Sequence, residues 1–153
     1  MLKRLFAATV LLALDQWSKA WALATLMPGT SMTLLPGVQF TLAMNRGIAF
    51  SQFNSVSGWA YALLLLVITL IALTVFTLML RSQGKWVTTG WVLLSAGAFG
   101  NLVDRLHHGY IVDFIDLYVQ QWHWPVFNIA DIQIFLGVCV LAVIWCKQEK
   151  CSV

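Results

Sequence analysis

Two aspartates stand 18 positions apart in a chain that is 60% hydrophobic and only 10% charged. Asp113 lies in Ile111-Val112-Asp113-Phe114, and Asp131 in Phe127-Asn128-Ile129-Ala130-Asp131. A carboxylate beside lipid is costly and marks a candidate functional site. Two carboxyl groups that face each other share a proton: one stays ionised while the other is held neutral at neutral pH. The ionised member can take a proton from water while the neutral member polarises a carbonyl. This is the chemistry of aspartic proteolysis, placed at a bilayer surface. The loop between the two residues begins and ends on one side of the bilayer, which allows them to meet.

Other polar motifs surround these two. Asn128 is a strong N-cap type, and Asp131 three positions on falls in the first turn of the following helix, where the dipole favours a carboxylate. Asp131 therefore has a purely structural reading as a cap. In Gly100-Asn101-Leu102-Val103-Asp104-Arg105, Asn101 shares a helix face with Asp104 and Arg105. Asp104 is expected to pair with Arg105 or another nearby cation, in a cluster that either meets water at a helix end or orients other groups. Asp15 and Lys19 are four apart, the spacing of a helical ion pair, and Asp15 counts to near mid-depth. Asn45-Arg46-Gly47-Ile48-Ala49-Phe50 reads as a turn after a strand, with glycine at a special backbone angle. His107, His108 and His123 are read as interface residues, since no acids at ligand spacing support a metal site. Cys139, Cys146 and Cys151 are an odd set at one chain end and are read as packing residues rather than a disulfide framework.

The elements that must position these groups follow from hydropathy. The mean hydropathy of +0.81 is too high for a soluble domain of 153 residues, and length suggests one domain. Four apolar blocks, roughly 5–26, 58–80, 86–103 and 129–146, are long enough to span the bilayer as helices. With both termini cytoplasmic, Lys3, Arg4, Arg81, Lys85, Lys147 and Lys150 lie inside, which suits the excess of Lys and Arg on cytoplasmic loops. The net charge of +3 then reflects orientation in the membrane rather than nucleic-acid binding. The Lys3-Arg4 start resembles a signal peptide, but Asp15 and Lys19 interrupt its apolar core, so it reads as an uncleaved first helix. Two outer segments remain, about 27–57 and 104–128. The first has turn signals at Pro28-Gly29 and Pro36-Gly37 and an alternating stretch from Val38 to Met44 that reads as a strand. The second, with Tyr118, Trp122, Trp124 and Phe127, suits a segment lying in the interface plane. Gly90, Gly97 and Gly100 in the third block let helices approach closely in lipid. The fold class expected is an all-α polytopic membrane protein with four transmembrane helices, a small extracytoplasmic β-containing platform and an interfacial segment between the last two.

Taken in order from Asp15 to about Ile134, these five motifs resemble those of the bacterial lipoprotein signal peptidases, signal peptidase II. The resemblance implies an aspartic endopeptidase that removes the signal peptide from diacylglyceryl-modified prolipoproteins, just before the lipidated cysteine. It implies Asp113 and Asp131 as the catalytic pair, with Asn45, Gly47, Asn101, Asp104, Arg105 and Asn128 supporting the pair or contacting substrate. Asp15 and Lys19 match a first-helix motif of more structural character. The resemblance further implies no metal or organic cofactor, inhibition by globomycin-type cyclic peptides, and a location in the bacterial cytoplasmic (inner) membrane with the active site facing outward. A monomer in contact with membrane lipid is expected, with no nucleic-acid partner. Two other classes fit more poorly. A four-span proton-coupled transporter using Asp15 would carry its key acids at mid-membrane and short polar loops. A structural subunit would leave the one-sided clustering of polar residues unexplained.

Overall fold

The computed structural model describes residues 1–47 and 58–150, the side chains of 148–150 excepted. Four long helices alternate with short strands: α1 (Leu2–Thr25), β1 (Ser31–Leu35), β2 (Val38–Asn45), α2 (Trp59–Arg81), α3 (Lys85–His108), β3 (Ile111–Val119), β4 (Trp122–His123) and α4 (Ile129–Lys150). Ile48, Ala49 and Phe50 of the Asn45 motif, most of 54–58 and Cys151 lie outside the described residues.

Among the described residues, three helices are long and apolar enough to cross a membrane: α2, α3 and α4 over Ile129–Lys147. Helix α2 has a mean hydropathy of 2.9 and is scarcely covered by the rest of the chain. Leu63, Leu66, Leu70, Ile71 and Leu73 are each about half exposed or more. In water that surface would be an aggregation site; in lipid it is simply solvated. Helix α1, with Lys3, Arg4, Asp15 and Lys19, falls short of that apolarity.

Helix α3 is the hub, packed against α1, α2 and α4. Its glycines explain why. A Cβ on Gly97 would strike the Ala130 carbonyl and the Ile134 side chain of α4. One on Gly90 would meet Leu141, and one on Gly137 of α4 would meet Leu94 and the Gly90 carbonyl. The two antiparallel helices therefore touch backbone to backbone, the contact that small residues permit where lipid supplies no hydrophobic drive. On the same helix Gly100 makes room for the Asp15 carboxyl. Helix α3 runs five residues past the expected end at 103, closing on Gly109 in the left-handed conformation. Asp104 and Arg105 can stay helical there because other parts of the chain hold them.

The strands form one antiparallel sheet in the order β1-β2-β3-β4. The alternation read from Val38 to Met44 is β2. The segment between α3 and α4, read as lying in the interface plane, supplies β3 and β4, strands that its aromatic composition did not announce. Its register on β2 sets Ala43 opposite Asp113 and Asn45 opposite Ile111. Val112 and Phe114 pack with Ala22 and Leu26 of α1. Trp21, Phe40 and Phe114 meet edge to face, with ring centroids 5.1 to 6.4 Å apart. That aromatic contact seats the sheet on the end of α1.

Gly97→Val should lower the apparent unfolding temperature in detergent, with a cost of about 1–3 kcal/mol from overpacking. A variant as stable as the parent would mean that α3 and α4 do not pack this closely.

Candidate active site

Asp131 lies in the first turn of α4, and Asn128 caps that helix in both directions. The Asp131 backbone N–H donates to Asn128 Oδ1 at 3.0 Å, and the Asn128 N–H donates to Asp131 Oδ2 at 3.2 Å. This reciprocal arrangement satisfies two otherwise unpaired helix-end donors. It also fixes the Asn128 amide, because the oxygen must face the Asp131 N–H. The Nδ2 group is left pointing the other way, donating to Asp113 Oδ1 at 2.6 Å and to Asn101 Oδ1 at 3.2 Å.

Asp113 is on β3 and 3% exposed. It is held from both flanks. On one side Phe127 pairs with Ile115 in a short antiparallel bridge, which delivers Asn128. On the other, Asn45 at the end of β2 donates from Nδ2 to Asp113 Oδ2 at 3.1 Å. Asn45 is oriented in turn: its Oδ1 accepts the Gly47 N–H at 3.1 Å, a local turn typical of asparagine. The buried Arg105 guanidinium donates to the Gly47 carbonyl at 3.0 Å, and Tyr61 donates its hydroxyl to the Arg105 carbonyl at 3.0 Å.

Behind the two acids lies a buried ionic cluster. Lys19 Nζ is 2.9 Å from Asp15 Oδ2 and 3.1 Å from Asp104 Oδ2, and it donates to Asn101 Oδ1 at 3.1 Å. With its oxygen facing a cation, Asn101 must turn its Nδ2 outward, where it donates to Asp131 Oδ1 at 2.9 Å. Asp15 accepts the Ala130 N–H at 2.8 Å, and Asp104 accepts the Val112 N–H at 3.0 Å. The first ties α1 to the start of α4, and the second ties α3 to β3. So Asp104 pairs with Lys19 and not with Arg105, and the cluster is buried rather than meeting water. Such a cluster needs every partner, because removing one leaves a charge buried and uncompensated.

Every residue singled out from sequence therefore joins one connected network: Asp15, Lys19, Asn45, Gly47, Asn101, Asp104, Arg105, Asp113, Asn128 and Asp131. Two members were not singled out. Gln16 donates to Asp15, to the Gly100 carbonyl and to Asp104 at 3.0 to 3.2 Å. Its signal was its place beside Asp15 in an apolar helix. Tyr61 had none, since a tyrosine at the end of a span reads as an interface anchor. Among the histidines, His123 stands 2.9 Å from Asp116, which Gln39 also holds at 2.7 Å. Those contacts fasten the sheet away from the two acids. Among the described residues no group of His, Cys, Asp and Glu is arranged to hold a metal.

The electrostatics set the two acids apart. Burial pushes the Asp113 carboxyl up to about 7, and the neighbouring Asp131 carboxylate adds to the rise. The amides of Asn45 and Asn128, and Lys19 beyond them, pull the other way. Asp131 is only half-buried, so one acid of the pair keeps contact with solvent. A neutral acid beside a more accessible one, with a shared amide between, suits acid–base activation of water.

Comparison with known proteins shows the family. The family model for signal peptidase (SPase) II matches residues 7–147. The chain belongs to the signal peptidase II family. The lipoprotein signal peptidase of Shewanella loihica is 44% identical over 126 residues, 80% of this chain and 74% of the relative. That of Alteromonas mediterranea is 37% identical over 145 residues, 93% and 79% respectively. A solved bacterial membrane enzyme superposes with a TM-score of 0.84 at 26% identity, covering 97% of this chain and 90% of that one. The chain is thus a protease of the bacterial membrane, and its family processes the signal peptides of prolipoproteins.

Two outcomes test the geometry. The folded Asp113 holds its proton more tightly than an unfolded aspartate, so its stabilising contribution is complete below about pH 4 and is lost as pH rises through about 7. An infrared carboxylic-acid band that vanishes in Asp113→Asn should therefore titrate near pH 7. Asn45→Ala, which removes a donor to the ionised form, should move that midpoint upward. A midpoint near 4 in the parent would contradict the burial described. Lys19→Met should destabilise the fold by about 3–5 kcal/mol, read as loss of thermal stability in detergent, since two buried acids lose their cation. Unchanged stability would mean the cluster is not dry.

Proposed function

We propose that the chain cleaves diacylglyceryl-modified prolipoproteins just before the lipidated cysteine, with Asp113 and Asp131 activating the attacking water. The observation that carries this reading is the single Asn128 side chain and backbone that grip both acids. Asp131, at a helix N-terminus and accepting from Asn101 and Asn128, acts as the ionised member and takes the water proton. Asp113, held neutral by burial, donates to the scissile carbonyl. The roles exchange as the leaving amine is protonated.

In this reading α1 is the fourth membrane span, its buried polar side chains turned inward and matched by partners on α3 and α4. Both termini lie on the cytoplasmic side, and the sheet and the two acids on the outer side. Substrate, a helix bearing two acyl chains, arrives sideways from the lipid to a monomeric enzyme. The sheet forms a platform over the scissile bond. Asn45, Gly47, Asn101, Asp104, Arg105 and Asn128 serve as positioning residues, with Asp15 and Lys19 beneath them. No cofactor takes part, and a globomycin-type cyclic peptide would compete for the same groove. A transporter using Asp15 is disfavoured, because that carboxylate is already committed to Lys19, Gln16 and the Ala130 N–H.

Purified protein incubated with a diacylglyceryl prolipoprotein should yield the shortened lipoprotein. Asp113→Asn and Asp131→Asn should each lower the rate by at least ~10²–10⁴-fold, the usual size of an acid–base contribution, with the thermal transition retained. The parent rate should fall as pH rises past about 7, where Asp113 loses its proton. Appreciable cleavage by either folded variant would overturn the two-aspartate mechanism.

A further inference from the structure

A second cavity lies at the opposite end of the bundle from the acids, between the first turns of α1 and α3. Its volume is about 560 Å³, within the usual range for small-ligand sites. Lys3, Arg4 and Lys85 line it, together with the hydroxyl-bearing Thr88 and Thr89. Among the described residues none of the three cations pairs with a carboxylate. Arg4 is held in place: one guanidinium nitrogen donates to the Met79 and Leu80 carbonyls at the end of α2, at 3.2 and 2.9 Å. Arginine carries five N–H donors, so the remaining ones are available to an anion.

Helix α3 adds to this charge. Its N-cap is Gly84, which lines the cavity and offers no side-chain acceptor, so the positive pole of the helix dipole lies at this end without a side-chain cap. The deeper lining is different in kind. Ala7 and Leu11 of α1 face Val92 and Leu93 of α3, and all four are apolar. A site with a cationic mouth, held in place at Arg4, and an apolar floor matches an amphiphile with an anionic head. A soluble anion would gain nothing from the floor.

We propose that this cavity binds the phosphodiester headgroup of an anionic phospholipid, with the first carbons of an acyl chain on the floor. Membrane proteins generally attract anionic lipid to basic ends as a diffuse cloud. A built site differs in being stoichiometric and in being blocked by bulk without loss of charge.

The test uses the full chain in nanodiscs holding phosphatidylglycerol and phosphatidylcholine in equal parts, with native mass spectrometry of the released protein. The parent should retain one phosphatidylglycerol in preference to phosphatidylcholine. Lys3→Gln with Lys85→Gln should cut that retention about tenfold, and the double arginine replacement should preserve it. Ala7→Phe, which fills the floor and leaves every charge in place, should cut it as well. Equal retention of the two lipids, or full retention in Ala7→Phe, overturns the proposal. Complete displacement by millimolar glycerol phosphate would point to a free phosphate site and overturn the lipid. Prolipoprotein cleavage measured on each variant reports the fold and the outer site separately, so failure here leaves the peptidase reading standing.

Discussion

The structure depends on what one asparagine can satisfy at once. Asn128 has an amide oxygen, an amide nitrogen and a backbone N–H, and each is committed. The oxygen takes the Asp131 N–H, the backbone N–H goes to the Asp131 carboxylate, and the amide nitrogen goes to Asp113 and Asn101. A helix cap and a bridge between two acids are here the same set of bonds. This is why the cap reading of Asp131 and the site reading do not compete. The cap places the carboxylate within the first turn, and the bridge sets its distance from the strand that carries Asp113.

That arrangement is only as firm as the helices beneath it. Asn101 and Asn128 come from different helices, and their contact needs α3 and α4 to be close at that level. Gly97 against Ala130 supplies the closeness. Gly100 then admits Asp15, whose second oxygen binds the Ala130 N–H at the same height. Three helices are thus locked in register by small residues and one buried carboxylate. In lipid, where apolar contact alone does not hold helices together, such polar and close-packed contacts set the register.

The chain revealed its four long helices and its polar motifs because both are local. Apolar blocks are read from composition, and Asn128 with Asp131 is a cap pattern within four residues. The places where expectation and structure part are non-local. The stretch after α3 is rich in aromatics and so read as an interface segment, yet it pairs with β2 across some 70 residues of chain. Nothing near Asp113 announces Asn45 as its neighbour. Likewise Asp104 has Arg105 beside it in sequence, but adjacent helical residues point about 100° apart. Lys19, from another helix, takes the place that sequence proximity suggested for Arg105. The third span was expected to end at its first charges; it continues because those charges find partners inside the protein.

The charge balance of the network also bears on which acid keeps a proton. Asp15, Asp104, Asp113 and Asp131 share the region with the cations Lys19 and Arg105. With all four acids ionised, two negative charges would stand uncompensated in a poorly solvated place. Protonating Asp113 halves that excess at a buried acid that, unlike Asp15 and Asp104, has no salt bridge to Lys19. Asp131, by contrast, is closer to solvent and accepts from two asparagines, one of them through the backbone N–H at the start of α4. Lys19 acts on both acids: its charge pulls the Asp113 carboxyl down, while by drawing on the Asn101 oxygen it polarises the amide and makes Nδ2 a better donor to Asp131. Burial, more than the cation behind it, thus holds the proton on Asp113, while the cluster fixes the donors that face Asp131, and the two environments together supply the unlike pair that the proposed hydrolysis requires.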